Sequence, residues 1–338
     1  MTNKECQNPY LYLLKYSNPT ILFLCISLPS LTGNASAAED YLEYHRQITG
    51  AESLIAEQRY GEALNIYKDV FKSYDFIFLR DYKVATQLAW YLEDRKQAFS
   101  YLKDAIKAGW TLKAIKKNDF LKPLRKETEW KETIRDYDQL RADYVARLNQ
   151  PLRESVREMS RLDQRKALGA LFRIGDRAQT KYAERKFEPH SVQQMRKLVD
   201  ILKRNGYPGE KLIGNSLWMS TILSHHNSIS PEYCKKDTLY TYVKPQLLRS
   251  IVHGKMSPFE YALADDWRRV VEFGRDATGY GFLSQPTQTT LERTNLLRQE
   301  IGLRTVELRN KLVDIESKTG MNFYLPSWVK GKIQIVSN

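Results

Sequence analysis

"AESLIAEQRYGEALNIYKDVF" (residues 51–71) and "TQLAWYLEDRKQAFSYLKDAI" (residues 86–106) repeat one arrangement of side chains, and that arrangement decides the fold. The first stretch carries Ala51, Leu54, Tyr60, Ala63, Tyr67 and Val70. The second carries Thr86, Ala89, Arg95, Ala98, Leu102 and Ala105 at the same spacings, 35 residues later. Apolar members recur at helical intervals. Small residues let the two helices of a hairpin approach closely, while the larger ones fill the groove between hairpins. The spacings predict two successive helical hairpins.

A motif of this kind, near a period of about 34 residues, resembles the tetratricopeptide repeat. Two units are fewer than the three or so that a free-standing array needs, so something must cover the open end. "AGWTLKAIKKNDFLKPLRKETEWKETI" (residues 108–134) resembles the segment that often closes such arrays in bacterial proteins, with Phe120, Leu121, Leu124 and Trp130 as apolar anchors. The resemblance implies a concave groove for a protein or peptide partner. The plainer alternative is a helical spacer.

Working outward, residues beyond 38 read as helices almost throughout. Strand-like alternation is scarce outside the tail "KGKIQIVSN", where Ile333, Ile335 and Val336 are candidates for one short strand. The expected fold is mainly α: tetratricopeptide-like hairpins, then an α-helical domain with few or no strands. Pro151 marks a helix start or kink, since proline is tolerated in a first turn. The boundary is placed near residue 150, giving domains 38–150 and 151–338.

The N-terminus reads as an export signal. Lys4 and Lys15 precede the apolar run Ile21–Leu31, followed by Ala35-Ser36-Ala37, with cleavage expected before Ala38. The run is shorter than the roughly 20 residues of a membrane span, so the cleaved protein is expected not to span a membrane. An uncleaved N-terminal anchor is the alternative to a periplasmic or extracellular location. Cleavage removes Cys6 and Cys25 and leaves Cys234, which by itself makes no intramolecular disulfide or multi-cysteine zinc site. Cys234 reads as a small, half-buried packing residue, and a nucleophile only if a histidine approaches it.

The 338 residues are 42% hydrophobic and 28% charged, a globular balance that leaves room for a sizeable core. Lys and Arg total 53 against 40 acidic residues, a net charge of +13. The basic residues are mixed with acids along helices, as in "RLDQRKALGALFRIGDRAQTKYAERK" (161–186), and read as a solvated surface. No nucleic-acid partner is expected. An anionic polymer held electrostatically is a weaker reading.

Further landmarks lie in the second half. Asp163-Gln164 falls in an amphipathic helix, followed by "NGYPGEKLIG" (205–214), "LWMSTILSHHNS" (217–228), "LRSIVHGKMSPFEYALADDW" (248–267), "GYGF" (279–282) and "LLRQEIGLRTVEL" (296–308). In this order they resemble a bacterial family called domain of unknown function 6624, over most of 155–312. The family carries Gln-His-Ala-Asp where this chain has Ser224, His225, His226 and Asn227. Its arginine after Asp266 is Trp267 here, Phe282 and Leu283 replace a Thr-Gln pair, and Ala167 stands where an arginine is expected. The resemblance implies no mechanism, because the family has none to carry over.

The paired histidines are the remaining chemical question. On a helix, Leu217, Trp218, Met219, Ile222 and Leu223 centre an apolar stripe close to His226, with His225 about a quarter-turn away. Neighbours on a helix do not share a face, so the pair does not form an i, i+4 metal site. His226 reads as packing. His225 is the candidate general base, with Asp163, Asp266 and Tyr280 as partners if they share a pocket. That makes a hydrolase-like enzyme the alternative to an interaction protein, and a buried polar network the plainer reading. Of Asp265 and Asp266, one is expected to be solvated. "GYPGEKLIG" lacks the Lys-Ser/Thr of a phosphate loop and reads as a turn. No cofactor and no metal are expected.

Overall fold

In a computed structural model, which describes residues 40–171, 176–274, 277–326, 329 and 331–337, the two repeated stretches form two helical hairpins. Helices α1 (Tyr41–Ala56) and α2 (Tyr60–Ser73) make the first; α3 (Leu79–Tyr91) and α4 (Arg95–Lys107) make the second. Their turns are copies of one another. Gln58 and Glu93 adopt φ of 61° and 60°. The residue after each donates its N–H five residues back, Arg59 to Leu54 (2.9 Å) and Asp94 to Ala89 (3.0 Å). Ala51, Ala63, Tyr67, Val70, Thr86, Ala89, Ala98, Leu102 and Ala105 are buried as the spacing requires, whereas Arg95 is exposed. The leader, its cleavage point, Cys6 and Cys25 lie outside the described residues.

Short helices α5 (Leu112–Lys116), α6 (Thr128–Arg135) and α7 (Tyr137–Arg147) follow. Leu121, Leu124 and Trp130 join Phe99, Leu102 and Trp110 in one core cluster, against which Phe120 packs half-buried. Helix α8 (Gln150–Leu171) opens with Pro151 in its first turn, where the missing N–H breaks no helical bond.

The chain continues through α9 (Asp176–Tyr182), a π-helical turn at Ala183–Phe187, α10 (Glu188–Asn205), α11 (Glu210–Ile213), α12 (Trp218–Asn227) and α13 (Pro231–Lys236). Then come α14 (Leu239–Val252), α15 (Pro258–Phe273), α16 (Leu291–Glu300) and α17 (Val306–Thr319). A second core gathers Val156 and Met159 of α8, Met195 and Leu198 of α10, Ile222 of α12, Leu247 of α14 and Leu297 of α16. Local chemistry sets several ends. Ser257 and Glu260 form a reciprocal capping box at α15, and Gly320 ends α17 in the left-handed conformation. The fold is mainly α. In the tail, Val336 makes an isolated parallel bridge with Thr287. No described helix is long and apolar enough to cross a membrane.

The described residues gather into one compact unit. Its third core combines residues of α1–α4 with Leu312 and Ile315 of α17 and with Met321 and Phe323 just beyond it. A buried ion cluster reinforces that joint. Glu52 of α1, with no exposure, binds both Arg80 of α3 and Arg304 ahead of α17. Arg80 also meets Asp81 (3.1 Å), whose other oxygen accepts the Tyr44 hydroxyl (2.6 Å). Burial beside Arg304 and Arg80 pushes the His45 imidazole down to about 3, so it stays neutral there.

Candidate functional site

Asp163 lies on the buried face of α8, four residues after Met159 and seven after Val156. Helix α12 crosses this face and brings His225 to it: Nδ1 stands 2.5 Å from Asp163 Oδ2. The carboxylate has no exposure, while the imidazole side chain keeps 28%. An ionised carboxylate only accepts, so in the neutral imidazole this contact places the proton on Nδ1 and the lone pair on Nε2. The π-helical turn ahead of α10 sets Phe187 edge-on to His225 (6.2 Å between centroids) and tilted against His190 (6.3 Å). A buried carboxylate that orients a half-exposed imidazole is the working part of a general base.

Asp266 and Tyr280 form a separate pair. Asp266 on α15 accepts the backbone N–H groups of Tyr280 (2.6 Å) and Phe282 (2.9 Å), and it has no exposure. Burial pushes its carboxyl up to about 6 against the pull of those two donors. The Tyr280 ring packs edge-on to Tyr261, and Arg298 donates to the Tyr280 carbonyl (2.5 Å). Among the described hydrogen bonds, ion pairs and ring contacts, none joins Asp266 or Tyr280 to Asp163 or His225. The expectation that one of Asp265 and Asp266 is solvated is corrected, since neither is exposed. Asp265 is covered by Lys244 (2.7 Å), Arg269 (2.8 Å) and the Tyr240 hydroxyl (3.0 Å), which reach it from α14 and α15.

His226 is buried, as its place on the apolar stripe implies, yet it is a polar hub rather than plain packing. Nδ1 lies 2.9 Å from Ser191 Oγ, Nε2 lies 3.1 Å from Asp237 Oδ2, and Arg268 closes on the same Asp237 oxygen at 2.8 Å. Cys234 is fully buried rather than half-buried, and burial pushes its thiol up to about 11, away from a nucleophile's range. Among the described residues, no three His, Cys, Asp or Glu side chains gather to hold a metal ion.

A second site was not visible in the sequence. Arg80, Lys83 and Gln87 occupy positions i, i+3 and i+7 of α3, one face of the helix, and an extended segment beyond α17 lies on that face. Gln87 Nε2 donates to the Asn322 carbonyl (2.7 Å), and its Oε1 accepts the Asn322 N–H (2.9 Å). Arg80 donates to the Phe323 carbonyl (3.1 Å), and Asn118 donates to the Tyr324 hydroxyl (2.9 Å). Tyr324 packs edge-on to Trp110 with the Lys83 ammonium 4.6 Å above its ring. Phe323 is 1% exposed. The advance signal was limited to Arg80, Lys83 and Gln87 at helical spacing on one face of α3, which also carries Asp81 and Thr86 on its other sides. Comparison with protein-family models, with curated proteins and with solved structures finds no match to this chain.

Proposed function

We propose that this chain is an exported interaction protein that binds an extended segment of a protein or peptide partner on the inner face of its tetratricopeptide-like hairpins. The observation that carries the reading is the Gln87 clamp, in which one amide side chain engages both the N–H and the carbonyl of Asn322. Such a clamp reads backbone and not side chain, so it accepts many sequences in extended form. Lys83, Trp110 and Asn118 beside it supply charge, an aromatic wall and a donor. The test is selection of displayed random peptides on the full immobilised chain. Enriched peptides should lose binding to Gln87→Ala and keep it with His225→Ala. Enrichment that survives Gln87→Ala, or no enrichment at all, rejects the reading.

A second reading rests on the Asp163–His225 contact. The half-exposed imidazole is oriented as a general base would be, which supports a hydrolase-like activity at the junction of α8, α10 and α12. Loss of turnover in His225→Ala, with the fold intact and peptide capture unchanged, would favour it over the first.

A further inference from the structure

Residues 320–325 lie where the proposed reading seats a partner, as an extended strap that puts Met321 and Phe323 into the hairpin core and leaves Asn322 exposed. Gly320, at φ +77°, frees the chain from α17. Asn322 is clamped by Gln87, Phe323 fills the hairpin core, and Tyr324 reaches Asn118 and Trp110. The opposite side of the strap faces a cleft of about 500 Å³, bounded by Arg309, Val313 and Glu316 of α17. The strap is therefore held mainly on the hairpin side, with the Phe323 N–H also bonded to Glu316 of α17 (2.7 Å) at the edge of the cleft. Tyr324 adopts φ +50°, a conformation that an aromatic residue rarely takes unless its surroundings impose it.

We infer that this strap is a resident pseudo-ligand, and that the partner engages by displacing it with an extended segment of the same chemistry, a small polar residue followed by two aromatics. The inference rests on the reading that the hairpin face binds peptide. The exchange is favoured by three features. The Gln87 clamp is indifferent to sequence, so an incoming backbone recovers the bonds that Asn322 gives up. Release relieves the backbone strain at Tyr324. The glycine at position 320 gives the strap a pivot. The aromatic requirement follows from burial: a partner without an aromatic residue at the Phe323 position leaves that core site empty, while one that has it replaces the lost contacts. The equilibrium is then set by differential affinity for the closed and open forms.

The test uses the full chain and a fluorescein-labelled peptide of residues 318–326, with a scrambled peptide as control. Tyr324→Ala loses the anchor to Asn118 and Trp110 but keeps the strained φ, so its strap is open more often. Apparent affinity rises with the open fraction. Tyr324→Ala should bind the labelled peptide at least about tenfold more tightly than the parent, and adding Gln87→Ala should abolish that gain. Equal binding by parent and Tyr324→Ala overturns the gate and leaves the peptide-binding reading standing. Absence of binding by both, with helical circular dichroism intact, overturns both. Should Tyr324→Ala not fold, amide exchange on the parent decides the matter. Saturating peptide should speed exchange at Asn322 and Phe323 at least about tenfold, and unchanged rates overturn the inference.

Discussion

Asp163 and His225 meet with Oδ2 and Nδ1 2.5 Å apart, the carboxylate wholly buried and the imidazole partly open to solvent. The relationship is directional: the buried partner is fixed by α8, so it dictates how the exposed one is held. His226, one residue on, is committed to Ser191 and Asp237 instead. One helical step thus separates an imidazole that is partly open to solvent from one that helps to tie α10, α12 and α15 to the link after α13.

Asp163→Asn should invert the tautomer of His225. The carboxylate accepts from Nδ1, whereas an amide in its place can donate to Nδ1 and move the proton to Nε2. Long-range nitrogen–proton correlation spectra distinguish the two forms by their ring-nitrogen shifts. Unchanged shifts in the variant would show that Asp163 does not set the tautomer.

Glu52→Leu should destabilise the chain by about 3–5 kcal/mol, the range for leaving buried partners uncompensated. Its loss leaves Arg304 without its carboxylate and Arg80 with Asp81 alone, two arginines that reach Glu52 from positions far apart in the sequence. The companion variant Glu52→Leu with Arg304→Met removes one stranded charge and should recover part of the loss. Urea midpoints report both, and a loss below about 1 kcal/mol, the scale of a surface pair, would mean that the cluster contributes little.

These contacts also separate what was legible in the sequence from what was not. The hairpins were legible, because Ala51, Ala63, Ala89 and Ala98 repeat a spacing that helices impose. Burial of His226 was legible from the same periodicity, but its partners were not, since Ser191 comes from α10 and Asp237 from the link between α13 and α14. Asp163 and Asp266 both stood out as carboxylates, yet only Asp163 found a side chain. Asp266 binds the backbone of residues 280 and 282, a contact available to any sequence at those positions. The Gln87 clamp on Asn322 was illegible for the same reason and spans 235 residues. Periodicity reports which face is buried and is silent on which distant backbone will meet it.

Two buried groups should give opposite pH dependences. Burial raises Asp266 from 3.8 to about 6, so its contribution is full below about pH 4 and is lost as pH rises through 6. Burial lowers His45 from 6.5 to about 3, so its contribution is present above 6.5 and is lost as pH falls toward 3. Parent-minus-variant stability should therefore fall with rising pH for Asp266→Asn, by up to about 3 kcal/mol. For His45→Leu it should rise with pH. Denaturant titrations at pH 4, 5.5 and 7 supply both differences, and a flat difference for either variant refutes its assignment.

Gly254→Ala should loosen the joint between α14 and α1. Gly254 sits at φ +64°, and a Cβ there would meet three atoms of the Tyr41 ring at 2.7 Å. Two costs follow: about 1–2 kcal/mol for a left-handed non-glycine residue, and about 1–3 kcal/mol for forcing a methyl into packed surroundings. Tyr41 cannot simply withdraw, because its hydroxyl donates to Asp75 (2.6 Å) and accepts the Phe76 N–H (3.0 Å). A double-mutant cycle with Tyr41→Leu separates the terms. The steric part should vanish once the ring is gone, while the backbone part remains. Additive losses from the two substitutions would mean that the ring and the methyl never compete for the same space.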